Sequence, residues 1–281
     1  RPGGRRARSA VSRSIRKGTS VRGKTGITST DPADRGREVI DSTATLEVLR
    51  EGEIELVGRL LGSTNHAMLG RVTRSCPPPE VPVTVEAVYK PTAGERPLDD
   101  FPDATLSRRE VAAFLVSEAI GWSIVPPTVL RDGPFGEGAL QLWIDADPTV
   151  DVVGMVVGDD ERLRRIAVFD AAVNNTDRKG GHLLPVEGGH IFGVDHGVTF
   201  STVPKLRTVL WGWRGDAFTD DERAGLERLA VALRGDLARE LAPLLSRLEI
   251  AATRRRVDQL LESGRFPFPR GDWPAVPWPP F

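Results

Sequence analysis

The hydrophobic pattern of the chain changes near residue 145, and this change constrains the fold more than any other feature. Before it, short apolar segments alternate with polar residues at a period of two and are separated by turn residues, a pattern that predicts strands. After it, apolar residues recur at helical spacing. The pattern therefore predicts an α+β fold with two lobes. We expect a sheet-bearing N-lobe over 41–145 and a mainly helical C-lobe over 146–281.

The first lobe is predicted to contain three strands, a helix and two more strands. Ser107 is expected to cap the helix, with Glu110 three residues later completing a capping box, and the helix should stop at Gly121. The predicted strands cover 53–61, 66–72, 83–90, 128–131 and 139–144. Turn residues at 62–65 and a proline-rich loop at 75–82 separate the first three.

The second lobe is predicted to be built from helices around two short strands. We expect helices over 159–173, 219–233, 235–250 and 251–262, and strands over 182–184 and 190–194. The last segment, 266–281, is rich in Pro, Trp and Phe. Because it is too aromatic for an ordinary disordered tail, we expect it to wrap against the helical lobe.

The N-terminal region has a different composition from the rest of the chain. Residues 1–30 contain nine Lys or Arg and no Asp or Glu, so we predict a disordered basic tail over 1–40. We expect this tail to be solvated, without specific nucleic-acid binding.

The single cysteine, Cys76, excludes an internal disulfide and a cysteine-based metal site. No apolar run reaches the roughly 18–20 residues that span a bilayer, and no signal-like stretch follows the basic residues. The sequence therefore predicts a cytoplasmic protein without a transmembrane segment.

Charged residues that suit phosphoryl transfer occur in the first lobe. This chemistry needs a cation for the phosphates, carboxylates for metal ions and a group that orients the nucleophile. Lys90 ends the third strand, where it could reach phosphates or could be an exposed strand-end lysine. Glu110 could pair with Lys90 or could cap the helix, and Glu118 is an alternative partner for the lysine.

Two further carboxylates follow in the second lobe. Asp177 lies in the polar segment Asn174-Asn175-Thr176-Asp177-Arg178, between an apolar helix and an apolar strand. It could accept a hydrogen bond from an attacking hydroxyl, although an Asx-type turn explains the same residues. Asp195 follows a predicted strand and could hold Mg²⁺, which needs only one or two carboxylates beside phosphate oxygens. It could also be a turn residue before Gly197.

These segments together resemble the landmarks of atypical kinases. The motifs are Tyr89-Lys90-Pro91, Glu110, Asn175-Thr176-Asp177-Arg178 and Gly193-Val194-Asp195-His196-Gly197, which are similar to those of phosphatidylinositol 3- and 4-kinases and HipA toxin kinases. Asp-Arg-Lys-Gly-Gly-His at 177–182 looks most like a largely actinobacterial, phosphatidylinositol 3-/4-kinase-like family. The resemblance covers about residues 45–265. It implies a phosphate-binding Lys90 oriented by Glu110, a catalytic Asp177 and a metal-binding Asp195.

The resemblance also implies the remaining parts of a nucleotide site. Gly62, Ser63 and Thr64 would replace the glycine-rich phosphate loop, and Leu142, Trp143 and Ile144 would form the hinge beside adenine. The chain departs from the family pattern at His182, where the family has an asparagine metal ligand, and in having one phosphate-loop glycine. Imidazole suits softer metals better than Mg²⁺, so the expected cofactors are ATP with Mg²⁺ or Mn²⁺.

The predicted function is ATP-dependent transfer of a phosphoryl group to a hydroxyl acceptor. A pseudokinase or nucleotide-binding module is the first alternative, because His182 replaces the expected ligand. AMP transfer is a further possibility. A metallohydrolase is another alternative, because His182, His190 and His196 lie near Asp177 and Asp195. The sequence leaves the acceptor open between a lipid, a protein and a small polyol, and it leaves the oligomeric state open.

Overall fold

The computed structural model describes residues 42–60, 66–75 and 81–281, all within the compact unit Gly36–Phe281. The predictions for the basic tail, Gly62, Ser63, Thr64 and Cys76 lie outside the described residues. The first lobe contains α1 (Ser42–Glu51), β1 (Glu53–Arg59), β2 (Met68–Arg74), β3 (Val83–Pro91), α2 (Leu106–Ile120), β4 (Thr128–Gly133) and β5 (Gly136–Leu142).

One antiparallel sheet of five strands, in the order β1-β2-β3-β5-β4, forms the first lobe. The predicted strands are confirmed, with ends shifted by a few residues. Alternate residues of β3, Ala87 and Tyr89, are fully buried, and α1 covers the same face of the sheet with Val48 and Leu49. This alternation turns Lys90 to the other face, away from that core. Helix α1 was not predicted.

The start of α2 differs from its prediction. Glu95 accepts the N–H groups of Leu106 and Ser107 at 2.9 and 2.7 Å, so a residue from the preceding loop satisfies the helix N-terminus. The capping-box prediction is therefore wrong, and Glu110 is free to turn towards β3. The helix ends at Gly121, whose φ of 81° places it in the left-handed region, as predicted.

The second lobe is mainly helical. It contains α3 (Val152–Val157), α4 (Arg164–Val173), β6 (Leu183–Pro185), β7 (Ile191–Gly193), α5 (Asp220–Ala232), α6 (Asp236–Leu241) and α7 (Arg247–Ser263). The helix predicted over 159–173 begins later in the structure, at Arg164, because Asp160 caps a separate 3-10 turn before α4. The predicted helix over 235–250 is wrong, because Ser246 and Glu249 form a capping box that starts α7.

A larger core joins α2 to the helices of the second lobe. It includes Phe114 on α2, Phe169 on α4, Leu226 on α5 and Val257 on α7. Helix α2 therefore packs against both lobes and can position residues between them. No helix in the described ranges has the length and apolarity needed to cross a membrane.

The aromatic C-terminal segment packs against the helical lobe, as predicted. The ring of Phe266 lies 5.0 Å from that of Phe218 and 6.2 Å from that of Trp213, between ring centroids. The guanidinium of Arg164 lies 4.8 Å above the Phe266 ring. Phe266 and Trp213 are both buried, so the start of this segment is part of the core.

Candidate active site

Three separate segments meet at the side chain of Lys90. The lysine lies near the end of β3, and its ammonium contacts Oε1 of Glu110 on α2 and Oδ1 of Asp195, the latter at 3.2 Å. Asp195 follows β7 and has a φ of 62°, an uncommon conformation for a residue other than glycine. The fold thus brings together the cation and two of the carboxylates that the sequence analysis selected.

Glu110 is fixed on both sides. It is 2% exposed, and its Oε2 accepts the backbone N–H of His196 at 3.0 Å while Oε1 contacts Lys90. The alternative partner, Glu118, is exposed at the far end of α2 and bonds Ser123 instead. Glu110 is therefore the partner of Lys90.

The electrostatics of this cluster favour its charged forms. Burial lowers the pKa of Lys90, but the charges of Glu110 and Asp195 outweigh it, so the ammonium pKa lies above its ordinary value. The Lys90 ammonium holds the pKa of Asp195 well below its usual range. The Lys90 side chain thus lies between the side chains of Glu110 and Asp195. The Asp195 side chain remains 55% exposed, so it is open to a ligand.

The loop after α4 holds Asp177. Helix α4 ends at Val173 and is capped by Asn174. Asn175 donates to Asp170 Oδ1 at 2.9 Å, and its own Oδ1 accepts the Asp177 N–H at 3.0 Å. The Asx-type turn considered from the sequence is present, and it fixes the backbone of Asp177. The Asp177 carboxylate lies 3.0 Å from the Lys179 ammonium. Lys179 was not among the predicted site residues, although it lies only two residues beyond Asp177.

A fully buried ion pair supports both loops. Arg178 donates from Nε and Nη2 to the two oxygens of Asp170, each at 2.9 Å, and from Nη1 to the Val194 carbonyl at 2.9 Å. Its Nη2 also lies 2.6 Å from His196 Nε2. Because a guanidinium only donates, His196 Nε2 must accept. Burial, followed by the charge of Arg178, accordingly holds the pKa of His196 well below its usual value. Asp170 was missed, although a carboxylate within an apolar helix was a signal.

His182 lies next to Asp195. Its Nε2 is 3.4 Å from Asp195 Oδ2, and burial lowers the pKa of the imidazole, which favours the neutral form that binds metals. Among the described residues, no three His, Cys, Asp or Glu side chains form a cluster that could hold a metal ion. The donor set of one carboxylate and one imidazole fits a divalent ion whose other ligands are phosphate oxygens.

The other histidines have different neighbours. His190 bonds the Ser123 carbonyl at 3.0 Å and stacks edge-on against Phe192. His196 is engaged by Arg178, as described above. Of the three histidines that prompted the metallohydrolase hypothesis, only His182 therefore offers a ring nitrogen to Asp195.

The predicted hinge lies at the end of β5. This strand ends at Leu142 rather than at Ile144. The next residue, Trp143, donates its N–H to the Glu86 carbonyl at 2.9 Å, and its indole bonds Asp145 at 2.8 Å. Trp143 is half-buried and Ile144 is 8% exposed. A role for Leu142, Trp143 and Ile144 beside adenine stays a prediction.

Solved structures give a first comparison for the fold. The structure of hydra Fam20 with sugar covers 80% of this chain and 88% of its own, with a TM-score of 0.50 and 14% identity. The Helicobacter pylori proinflammatory kinase CtkA covers 78% of this chain and 94% of its own, with a TM-score of 0.45 and 11% identity. The chain has the two-lobed, kinase-like fold, with an antiparallel sheet in the first lobe and helices in the second.

Sequence relatives give a second comparison. No established protein-family profile matches the chain. Phosphatidylinositol 4-kinase gamma 4 of Oryza sativa is 29% identical over 108 residues, which span 32% of this chain and 19% of that protein. Protein Rv2133c of Mycobacterium tuberculosis is 41% identical over 269 residues, which span 83% of this chain and 94% of that protein. The chain therefore belongs to the same family as protein Rv2133c.

Proposed function

We propose that the protein is an ATP-dependent phosphotransferase of the atypical, phosphatidylinositol 3-/4-kinase-like class. The observation that carries the proposal is the meeting of Lys90, Glu110 and Asp195, which come from a strand, a helix and a loop. A structural ion pair alone would need one carboxylate. Two carboxylates on one lysine, one buried and one 55% exposed, suit a site that binds phosphates and a metal ion.

In this proposal Lys90 binds the nucleotide phosphates and Glu110 orients it. The carboxylate of Glu110 is buried and accepts a hydrogen bond from the His196 N–H. It therefore holds the Lys90 ammonium in one position. A preorganised cation stabilises developing charge without reorganising during the reaction. The predicted phosphate loop of Gly62, Ser63 and Thr64, and the hinge of Leu142, Trp143 and Ile144, would complete the nucleotide site.

Asp177 is the proposed catalytic carboxylate. It accepts the proton of the acceptor hydroxyl as the acceptor oxygen forms a bond to the γ-phosphorus of ATP. The bond from that phosphorus to the β,γ-bridging oxygen breaks, and ADP leaves. In this proposal Lys179, 3.0 Å from Asp177, neutralises negative charge on the transferred group. General-base assistance of the kind proposed for Asp177 increases a reaction rate roughly 10²- to 10⁴-fold.

Asp195 and His182 would hold a divalent ion in this scheme. When bound, such an ion neutralises phosphate charge. Because His182 supplies nitrogen rather than oxygen, the site should favour Mn²⁺ over Mg²⁺ relative to a site with an asparagine there. The partial likeness to the rice phosphatidylinositol 4-kinase also supports a kinase function.

A nucleotide-binding module without transferase activity is the second candidate. His182 favours it, because it replaces an oxygen ligand of the family pattern and lies 3.4 Å from the proposed metal-binding carboxylate. This candidate predicts metal-dependent ATP binding without transfer to any hydroxyl. Transfer of AMP would instead release pyrophosphate, so product analysis separates the two transferase reactions.

Thermal unfolding with ATP and Mg²⁺ or Mn²⁺ tests the proposal. A ligand that binds only the folded state raises the free energy of unfolding by about 2.7 kcal/mol when it is present at about 100 times its Kd. We expect a metal-dependent rise in Tm for the wild type that Lys90→Ala and Asp195→Ala abolish. Asp132→Ala, an exposed carboxylate in β4, is the control and should keep it. A rise with Zn²⁺ alone, and none with ATP, would contradict the proposal.

A further inference from the structure

The C-terminal segment, residues 273–281, lies on the loop that carries Asp177. The Gly180 N–H donates to the Pro280 carbonyl at 2.8 Å. The ring of Phe281 packs so closely on Gly180 that a Cβ there would lie 2.1 Å from a ring carbon. Gly180 is three residues beyond Asp177, so this segment contacts the same loop that carries the proposed catalytic carboxylate.

The same segment pairs with the loop that follows β7. On one edge of that loop, Arg207 and Val209 bond the backbone of Arg178 through a parallel bridge, at 3.0 and 3.1 Å. The intervening N–H of Thr208 points the other way and donates to the Ala275 carbonyl at 3.0 Å. Residues 273–281 thus bond the edge of the 207–209 segment that faces away from Arg178.

This surface offers hydrogen-bond donors. Besides the N–H groups of Gly180 and Thr208, the Arg207 guanidinium donates to the Pro274 carbonyl at 3.1 Å and the Trp211 indole donates to the Ala275 carbonyl at 2.9 Å. The segment that accepts them has four prolines among its nine residues, and proline has no N–H to satisfy. In the structure these donors therefore bind the carbonyl groups of the chain's own proline-rich segment, and proline-rich segments are a common class of peptide ligand.

The segment is held by few buried contacts. Within 273–281 only Pro277 is buried. Trp278 is 86% exposed and Phe281 is 47% exposed. Segments with few buried apolar contacts open locally at a low cost in free energy. Another polypeptide that makes the same bonds can therefore replace it.

We propose that Gly180 and residues 207–211 form the acceptor-binding surface, that the acceptor is a polypeptide segment that presents carbonyl groups to these donors, and that residues 273–281 compete with it. The proposal rests on the proposed kinase function and names its substrate class. The resting protein then holds its own chain beside Asp177, and transfer to a peptide requires that chain to leave.

The test uses the full chain and two matched pairs of variants. Pro277→Asp places a charge at the buried anchor, and Trp278→Asp places the same charge at an exposed neighbour. Gly180→Ala drives a Cβ into Phe281, whereas Gly181→Ala meets open space. Hydrogen exchange of residues 273–281 reports release of the segment. Phosphate incorporation from ATP into a degenerate library of Ser- and Thr-containing peptides reports transfer.

We expect faster exchange and on the order of tenfold more peptide phosphorylation for Pro277→Asp than for Trp278→Asp, a factor that corresponds to about 1.4 kcal/mol. Gly180→Ala should match the exchange of Pro277→Asp and exceed Gly181→Ala. If the variants bind ATP and release residues 273–281, but peptide phosphorylation does not change, the proposed acceptor surface alone is overturned. Transfer to phosphatidylinositol vesicles without transfer to peptides would also overturn it. No ATP binding in any variant would overturn the kinase function itself.

Discussion

Glu110 accepts the backbone N–H of His196 at 3.0 Å through Oε2. The other oxygen of the same carboxylate contacts Lys90. One buried side chain on α2 therefore fixes both the proposed phosphate-binding lysine and the segment that follows the proposed metal-binding Asp195. Because the two bonds share one carboxylate, Glu110 links the two parts of the proposed nucleotide site.

Replacing Glu110 by Gln should weaken ATP binding strongly. The amide can still accept from the His196 N–H, but it removes the negative charge beside Lys90, and one hydrogen bond to a charged group contributes about 1.5–3 kcal/mol. We expect the Kd for ATP, measured by calorimetry, to rise roughly 10- to 100-fold. Glu118→Gln, at an exposed position on the same helix, should leave the Kd unchanged. Equal Kd values for the two variants would contradict the assigned role.

Asp177→Asn should separate binding from transfer. Asp177 does not contact Lys90 or Asp195 in the structure but pairs with Lys179, so the variant should keep the metal-dependent rise in Tm with ATP. Loss of the proton acceptor should reduce phosphoryl transfer roughly 10²- to 10⁴-fold. Radiolabelled ATP with the peptide library measures transfer. A variant that transfers at the wild-type rate would remove Asp177 from the mechanism.

Much of the fold could be predicted from the sequence, because period-two alternation and helical spacing reflect which face of an element is buried. The predictions that were wrong concern the ends of helices. Glu95, eleven residues before Leu106, satisfies the start of α2, and no local pattern shows that contact. The break before Ser246 had a local signal, because Ser246 and Glu249 have the spacing of a capping box, but the apolar pattern continues on both sides of it.

The candidate site shows the same division between local and long-range information. Lys90, Glu110, Asp177 and Asp195 could be selected because motif spacing is local information. The pairing of Lys90 with Glu110 rather than with Glu118 depends on which turn of α2 faces the sheet. Asp170 was missed because its partner, Arg178, is identified only once the loop after α4 folds back on the helix.

His182→Asn tests the departure from the family pattern. An amide oxygen is a better ligand for Mg²⁺ than a neutral imidazole. We expect the variant to gain ATP affinity with Mg²⁺ relative to Mn²⁺, as measured by the Tm rise with each ion at matched concentrations. His190→Asn, which changes a histidine bonded to the Ser123 carbonyl, should leave the ratio unchanged. An unchanged ratio in His182→Asn would exclude position 182 from the metal site.

Asp170→Asn should destabilise the whole protein. Asp170 and Arg178 are both fully buried, and removal of one partner from a buried ion pair costs about 3–5 kcal/mol because the other charge is left unpaired. Urea unfolding measures the free energy. Asp258→Asn breaks a pair with Arg234 in which both side chains are nearly half exposed, and it should cost at most about 1 kcal/mol. Similar losses in the two variants would contradict the supporting role of Asp170.

The pair of Arg109 and Glu249 should make stability depend on pH in the acid range. Arg109 Nη2 on α2 donates to Glu249 Oε1 on α7 at 2.5 Å. Burial raises the pKa of Glu249, but hydrogen bonds from Ser246 and Arg109 outweigh it, so the pKa in the folded protein lies below the ordinary value. A group with a depressed folded pKa contributes stability that is complete above its unfolded pKa of about 4.3 and is lost as the pH falls through the folded pKa.

Glu249→Gln removes the titrating group from this pair. The variant should be less stable than the wild type by about 1.5–3 kcal/mol near neutral pH, where a charged hydrogen bond is lost. The difference should shrink as the pH falls below about 4, because the wild-type carboxylate then becomes neutral as well. Urea unfolding at a series of pH values measures it. Glu262→Gln, at an exposed position near the end of α7, should show little difference from the wild type. If the free energy of unfolding of Glu249→Gln differs from that of the wild type by a constant amount down to the acid transition, the Glu249 carboxylate is not stabilised by Arg109.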